Sequence, residues 1–387
     1  MRNKVKRDVK KAKSVFYLSK LEEHRNDSKK LWKQLKHPGS SSKSNSSSKI
    51  VLDINNSRVH EPKAVADCFN SFFTNIAANL VEKLPHPKHI FNYTSESVLS
   101  FYRSKVSDPL HLEQVTDEFI EKELKNLNPL KSTGLDDLPA RFIKDGASIL
   151  TSPITHIVNL SISNDKVPDE FKVAKVIPLH KKKSRTDCAN YRPISILCIV
   201  SKILEKAVFV QLESHLVRNN LLYKYQSGFR SNFSTDTCLI DLHDTIKTRK
   251  AQGLLTGMVM MDLSKAFDTV DHHILCQKLK LMGVKSINWF LSYLSGRSQV
   301  TSVGGCFSEP MAVTYGVHQG SILGPILFLC YINDMCVSLN TDFKLLLYAD
   351  DSAILFSHKS ARVISQRLGE ALEACSDWFT DNKLSQC

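Results

Sequence analysis

The run LLLYADDSAILF, Leu345 to Phe356, sets two adjacent aspartates in the middle of an otherwise apolar stretch. Neighbouring carboxylates repel, and burying one without a partner is costly, so a continuous core strand is a poor home for them. Apolar residues on both sides, bounded by polar ones, read as two short strands joined by a tight turn that holds Asp350 and Asp351 at its tip. Taken alone, Ala-Asp-Asp-Ser reads equally well as a solvated turn, because Asp and Ser favour turns through hydrogen bonds to their own backbone. A bound cation would compensate the repulsion, and the rest of the chain decides between the two.

A second apolar run, GMVMMDLSKAFDTVDH, reads as a buried strand from Met258 to Met261 with Asp262 at its carboxyl end. TYGVHQGSILGPILFLCYIND then gives a Gly-bounded loop, Gly316 to Gly320, entering a long apolar helix that contains Pro325. Asp262, Asp350 and Asp351 have the form needed for phosphoryl transfer, in which two divalent ions stabilise the attacking and leaving oxygens and are held by a few carboxylates on rigid strands.

Charge points the same way. Lys and Arg outnumber Asp and Glu by 52 to 39, a net charge of +13, which favours a polyanionic partner such as nucleic acid. The N-terminus MRNKVKRDVKKAK lacks the apolar core of a signal peptide, and no apolar run approaches the roughly 18 residues of a membrane span. A soluble, intracellular protein is expected, with nucleus and cytoplasm both open and no membrane partner. The ten cysteines show no CxxC pair or zinc-like spacing and are expected to be reduced thiols. His318 and the His272–His273 pair likewise lack ligand spacing.

Along the chain, residues 1–37 read as a basic, partly amphipathic helical arm, suggested by Val15, Leu18, Leu21, Leu31 and Leu35, and 38–50 as a Ser-rich flexible linker. Residues 51–160 read as a helical region. In it, Val65, Phe69, Phe73, Ile76 and Leu80 mark one amphipathic helix, Thr116 caps another, and Phe142 to Leu160 is a third helix-rich stretch. Asp136 and Asp137 compete as a paired-carboxylate site, but they lie in a Gly/Pro loop without flanking strands and are read as a solvated turn or cap. KVIPLHKKKSR is a short strand followed by a basic loop.

Seven blocks in order, GLDDLP, KVIPLHKKKSRTDCANYRPISIL, KYQSGFRSNFSTDTCL, MDLSKAFDTVDH, GVHQGSILGPILF, YADD and a Trp378–Leu384 segment, resemble the reverse transcriptases of non-LTR, LINE-type retrotransposons, most closely the jockey-like group. The resemblance implies an α+β, right-hand polymerase, with fingers and palm in residues 161–387 preceded by the arm, linker and helical region. It implies an RNA-directed DNA polymerase that adds dNTPs to a primer on an RNA template. Asp262 and Asp350 would bind two Mg²⁺ or Mn²⁺ ions, Asp351 completing the cluster. Lys181 and Arg192 resemble the fingers cations that grip the triphosphate. Phe267 stands where the family carries an aromatic that blocks a ribose 2′-OH, unless it only packs. Gln319 and Gly320 lie in the loop at the incoming base pair, and Arg230 resembles a template contact.

The sequence departs from the family at His318, where Pro is usual, and at Lys183-Ser184, where Gly-Asp is usual; both changes bear on loop rigidity. After KLSQC the chain stops where relatives continue to a Lys-bearing palm strand and the thumb, and no upstream endonuclease precedes it, so it reads as a piece of a polyprotein. The competing readings are a non-catalytic RNA-binding remnant and a viral-type RNA polymerase. Phe267 and the Arg-Pro-Ile-Ser block argue against the second, while activity and oligomeric state are left open by sequence.

Overall fold

The structure is a computed structural model that describes residues 50–54, 57–85, 96–339 and 341–386, together with Asp8, Lys11, Ala12, Val15, Ser19 and Glu23. Met1–Lys49 and Ile50–Cys387 form separate compact units. In the first, the six described residues are all helical. The rest of the expected arm and the Ser-rich stretch through Lys49 lie outside the described residues.

The second unit begins with a hairpin, β1 (Leu52–Ile54) and β2 (Ser57–Val59), which helical periodicity did not announce. Helix α1 (Pro62–Glu82) follows, its N-terminus closed by Glu61, whose carboxylate accepts the N–H groups of Lys63 and Ala64, and by Pro62 at the first turn. Phe69 and Phe73 lie on its buried face. Helices α2 (Glu96–Arg103), α3 (Asp117–Lys125), α4 (Ala140–Asp145) and α5 (Ala147–Ser163) come next, and Thr116 does cap α3 by accepting the Phe119 N–H. Asp136 and Asp137 sit exposed in the loop before α4, where Asp136 accepts the Leu138 N–H.

The fingers sheet is built from β3 (Val173–His180) and β4 (Tyr191–Ile196), antiparallel, with β7 (Arg297–Val303) parallel to β3 on its other side. Two short strands, β8 (Cys306–Phe307) and β9 (Met311–Val313), pair with β7. Helix α1 lies on this sheet, and Phe69 and Phe73 join Val176, Tyr191 and Val303 in a small core of their own. Between β4 and β7 run α6 (Ile199–Arg218), α7 (Thr235–Ala251), β5 (Leu255–Met261), β6 (Leu263–Ser264), α8 (His272–Leu281) and α9 (Ile287–Leu294). After β9 come α10 (Leu323–Ile332), β10 (Lys344–Tyr348), β11 (Asp351–His358), α11 (Ala361–Asp381) and β12 (Ser385–Gln386), the last pairing with β6.

The palm sheet has the order β10-β11-β5, all antiparallel, and rests on the large core through Met261, Leu345, Leu347 and Ile354. Helix α10 is apolar on every side, and Leu323, Leu327 and Phe328 are fully buried, as a helix without a polar face must be. Mixed helix and antiparallel sheet make the fold α+β.

One expectation needs correction. The Met258–Met261 run is not a buried strand: Met260 is 73% exposed and Met258 42%, while Met261 is buried. The run is uniformly apolar, but an antiparallel sheet with one solvated face sends alternate side chains outward, so composition concealed the period. Helix α7 buries none of its residues and leaves Leu239 and Ile240 exposed.

Behind the palm lies an ion pair that no periodicity reveals. Lys278 of α8 donates to Asp334 at 2.7 Å and to the Tyr331 carbonyl at 2.5 Å, and both charged side chains are fully buried. Its ammonium also lies over the Tyr331 and Trp378 rings, which joins α8, α10 and α11 at one point. Nearby, the Tyr331 hydroxyl donates to the Asn382 carbonyl at 2.6 Å, and Lys383 pairs with Asp271, the cap of α8.

Candidate active site

The hairpin predicted around Tyr348-Ala-Asp-Asp forms, with its tip one residue earlier than a turn holding both acids. Tyr348 pairs with Asp351, so the turn is Ala349-Asp350 and Asp351 is the first residue of β11. Ala349 is held at φ 55°, a strained value for a residue with a side chain. The strain is fixed from outside. The Gln226 side-chain oxygen accepts both the Ala349 N–H at 3.1 Å and the Gly228 N–H at 2.8 Å. The same loop adds an edge to β10, since Ser227 N–H donates to the Leu347 carbonyl and Leu347 N–H to the Tyr225 carbonyl.

Gly228 is packed so closely that a Cβ there would stand 2.2 Å from the Ala349 nitrogen. Gly228→Ala is therefore expected to displace the Asp350 turn and to lower stability by about 1–3 kcal/mol, as overpacking does. Urea unfolding measures this, and an unchanged midpoint would show that the loop yields instead.

Asp262 follows β5 directly. Because Met261 pairs with Ser352, Asp262 and Asp351 stand next to each other at the same end of neighbouring strands. Partial burial, then the charges of Asp350 and Asp262, raise the Asp351 carboxyl above its usual range, and Lys181 opposes the rise. The three acids thus share one repulsive field, whose opposing charge comes from the fingers. Hard oxygen donors in mutual repulsion fit a divalent cation. Among the described residues no three donor side chains are gathered tightly enough to hold an ion as they stand.

The fingers contribute a cationic wall. Lys181 follows β3, and Arg192, paired with Leu179, stands on β4 at the same end of the hairpin; both are exposed. Lys265, which the sequence reading did not single out, donates to the Tyr191 carbonyl at 3.1 Å. Burial lowers its ammonium pKa, Asp268 raises it, and the charges of Lys181 and Arg192 lower it further, which places all three cations in one neighbourhood. In the Lys183-Ser184 turn, Lys183 adopts φ 65°, the conformation for which glycine is suited, and its carbonyl bonds His180.

Phe267 stacks on Phe328 with ring centroids 4.5 Å apart and meets Phe229 edge-on, so it packs against the core while half-buried. The loop Gly316 to Gly320 is firmly held: Gly316 and Val317 N–H groups donate to the Val270 and Phe267 carbonyls, and Ser195 N–H donates to the Gln319 carbonyl at 2.8 Å. Gly320, at φ 120°, lies so close to β4 that a Cβ would meet the Ser195 oxygen at 2.4 Å. The Gln319 amide donates to Asp268 at 3.0 Å.

His318 is itself held in this loop. Arg297 donates to its Nε2 at 2.5 Å and to the Tyr293 carbonyl, Tyr293 donates to buried Glu205, and Glu205 accepts the Ile322 N–H at 2.6 Å. His272 bonds the Gly316 carbonyl. Burial, with Arg297 and His272 alongside, depresses His318 well below the ordinary 6.5. The unfolded chain therefore takes up this proton first, and His318 destabilises the fold as pH drops below about 6.5. The His318→Ala variant is expected to lose this part of the acid sensitivity and about 1–3 kcal/mol at neutral pH, because Arg297 loses a partner. Urea unfolding at pH 7.5 and 5.5 tests both.

Arg230, expected at the template, is also part of its own loop. It donates to the Tyr223 and Gln226 carbonyls and its guanidinium lies over the Phe233 ring, which ties the loop together.

Residues 179–385 match the family described as reverse transcriptase (RNA-dependent DNA polymerase). Similar proteins include a probable RNA-directed DNA polymerase from transposon BS of Drosophila melanogaster, 27% identical over 327 residues, or 81% of this chain and 35% of that protein. The RNA-directed DNA polymerase from mobile element jockey of the same species is 28% identical over 320 residues, 79% of this chain and 34% of that protein. A Pol polyprotein from the type-1 retrotransposable element R2 of Popillia japonica is 25% identical over 214 residues, 52% of this chain and 30% of that protein. The chain spans about a third of the length of these relatives. Because the family match covers more than half of the chain and takes in the Lys181–Arg192 hairpin, the Gly316–Gly320 loop and all three acids, this chain belongs to the reverse transcriptase family.

Proposed function

We propose that this chain is the fingers and palm of an RNA-directed DNA polymerase of a jockey-like non-LTR retrotransposon, extending a DNA primer with dNTPs on an RNA template. The observation that carries the reading is the strand register, which sets Asp262 beside Asp351 with Asp350 in the adjoining turn at one end of the palm sheet. Two divalent cations, Mg²⁺ or Mn²⁺, would be held by these acids and would supply charge stabilisation for in-line displacement at the nucleotide phosphorus. Lys181 and Arg192 bind the triphosphate, Lys as a point charge and Arg as a fork. Lys265 stiffens the wall behind them through the Tyr191 carbonyl. Gln319 and Gly320 border the incoming base pair, and Phe267, anchored on Phe328, presents its edge to the sugar. Arg230 serves the template strand indirectly, by holding its loop.

Primer extension on an RNA template, with and without Mg²⁺ or Mn²⁺, tests the reading. Cation-dependent incorporation of dNTPs supports it. Template binding with no extension under either ion would overturn it in favour of an RNA-binding remnant. In the same assay Phe267→Ala is expected to raise rNTP use relative to dNTP use by about tenfold, since a lost side chain worth some 1–2 kcal/mol of exclusion is a factor of that order. An unaltered ratio would leave Phe267 as core alone.

No helix among the described residues is long and apolar enough to cross a membrane. For a cleft lined by Lys and Arg, affinity for primer–template should fall steeply with salt as counterions are released.

A further inference from the structure

Asp268 lies six residues beyond Asp262 and has no role in the reading above. One carboxylate oxygen accepts the Gln319 amide N–H at 3.0 Å; the other is buried and finds no hydrogen-bond partner among the described residues. The two residues stand on different loops, after β6 and before α10, and those loops are tied by the Val317–Phe267 and Gly316–Val270 backbone bonds. Ser195 holds the Gln319 carbonyl from the opposite side. With its backbone clamped on both flanks, Gln319 retains one choice, which end of its amide faces Asp268. A carboxylate only accepts, so Nε2 must turn towards it and Oε1 away.

We propose that Asp268 is a positioning residue, which fixes the Gln319 amide so that its oxygen is offered to a hydrogen-bond donor of the incoming nucleotide. The proposal rests on the nucleotide-site reading of Gln319. It makes the position an acceptor, selective for hydroxyl or amino groups of the nucleotide, where an unfixed amide would offer donor and acceptor alike.

The surroundings make this orientation sensitive to protons. Burial raises the Asp268 carboxyl to about 6, and the Lys265 ammonium and the Gln319 amide act against the rise. Lys181 and Arg192 stand beyond Lys265, and His318 and Tyr315 line the same small cavity. A protonated Asp268 can donate, and the amide is then free to turn over.

Two measurements on the full chain test the proposal separately from the polymerase reading. With ¹⁵N in the glutamine side chains and Gln319→Ala as the assignment control, the Gln319 amide signals should move with a midpoint near pH 6 in the wild type and stay fixed in Asp268→Asn. In primer extension, Asp268→Asn should raise the dNTP KM about tenfold with kcat within about twofold, and adding it to Gln319→Ala should cost nothing more. Amide signals that ignore pH, or strictly additive losses, would overturn the positioning role. A titrating amide combined with an unchanged KM in Gln319→Ala would overturn the nucleotide contact and leave the Asp268–Gln319 link intact.

Discussion

Asp350→Asn is expected to lower primer extension at least about a thousandfold, a loss of some 4 kcal/mol of transition-state stabilisation. The replacement keeps the shape of the side chain and removes one of the charges that would hold the two cations. Stability should not fall with activity, because Asp350 repels Asp351 in the folded protein. Its removal relieves that repulsion, and the Asp351 carboxyl should move back down towards its ordinary value. Extension assays beside urea unfolding separate the two effects. Undiminished extension in the variant would sink the metal assignment.

Lys278→Met is expected to destabilise the fold by about 3–5 kcal/mol, since it leaves the Asp334 carboxylate buried and unpaired. The pair is fully enclosed, and its attraction balances two desolvation costs that act in opposite directions: burial lowers the Lys278 ammonium pKa and raises that of the Asp334 carboxyl. Removing both charges should therefore cost less than removing one, and Lys278→Met with Asp334→Leu should recover much of the loss. Unfolding midpoints of the two single variants and the double variant form the cycle. A single variant within about 1 kcal/mol of the wild type would mean that water reaches Asp334 once the amine is gone.

The hairpin was legible in the sequence because an apolar run broken by Asp350 and Asp351 has few structural solutions, and the hairpin is one that leaves the charges outside. Thr116 and the helix bearing Phe69 and Phe73 were legible for similarly local reasons, a cap and a repeating apolar spacing. Met258–Met261 misled because uniform composition carries no period, and only the sheet decides which face is wet. Lys265 and Asp268 were visible inside the DLSKAFD block but gave no local sign of use; their partners, Tyr191 and Gln319, come from distant segments. The same holds for Gln226 at the Ala349 turn and for Arg297 at His318. A buried polar contact between remote segments has no periodicity, so it emerges only when the chain is folded. At Arg230 the motif suggested a template contact, and the fold adds hydrogen bonds from the same guanidinium to two carbonyls of its own loop.

The parallel pairing of β3 with β7 sets the order in which this protein can be made. Val173 must find Ser298, and everything that carries Asp262 lies between them. Closing so long a loop costs entropy before the contacts that offset it are formed, and topologies dominated by such pairings fold slowly. On the ribosome, β3 and β4 leave the exit tunnel first and then wait, one edge unpaired, while α6 through α9 are synthesised. Helix α1 waits with them, because its small core includes Val303 at the far end of β7. During that interval an open strand edge is a template for association with other chains. Expression at lower temperature or with a chaperone that shields the nascent fingers should therefore raise the yield of native protein, through the kinetics of synthesis and with no change in the stability of the finished fold.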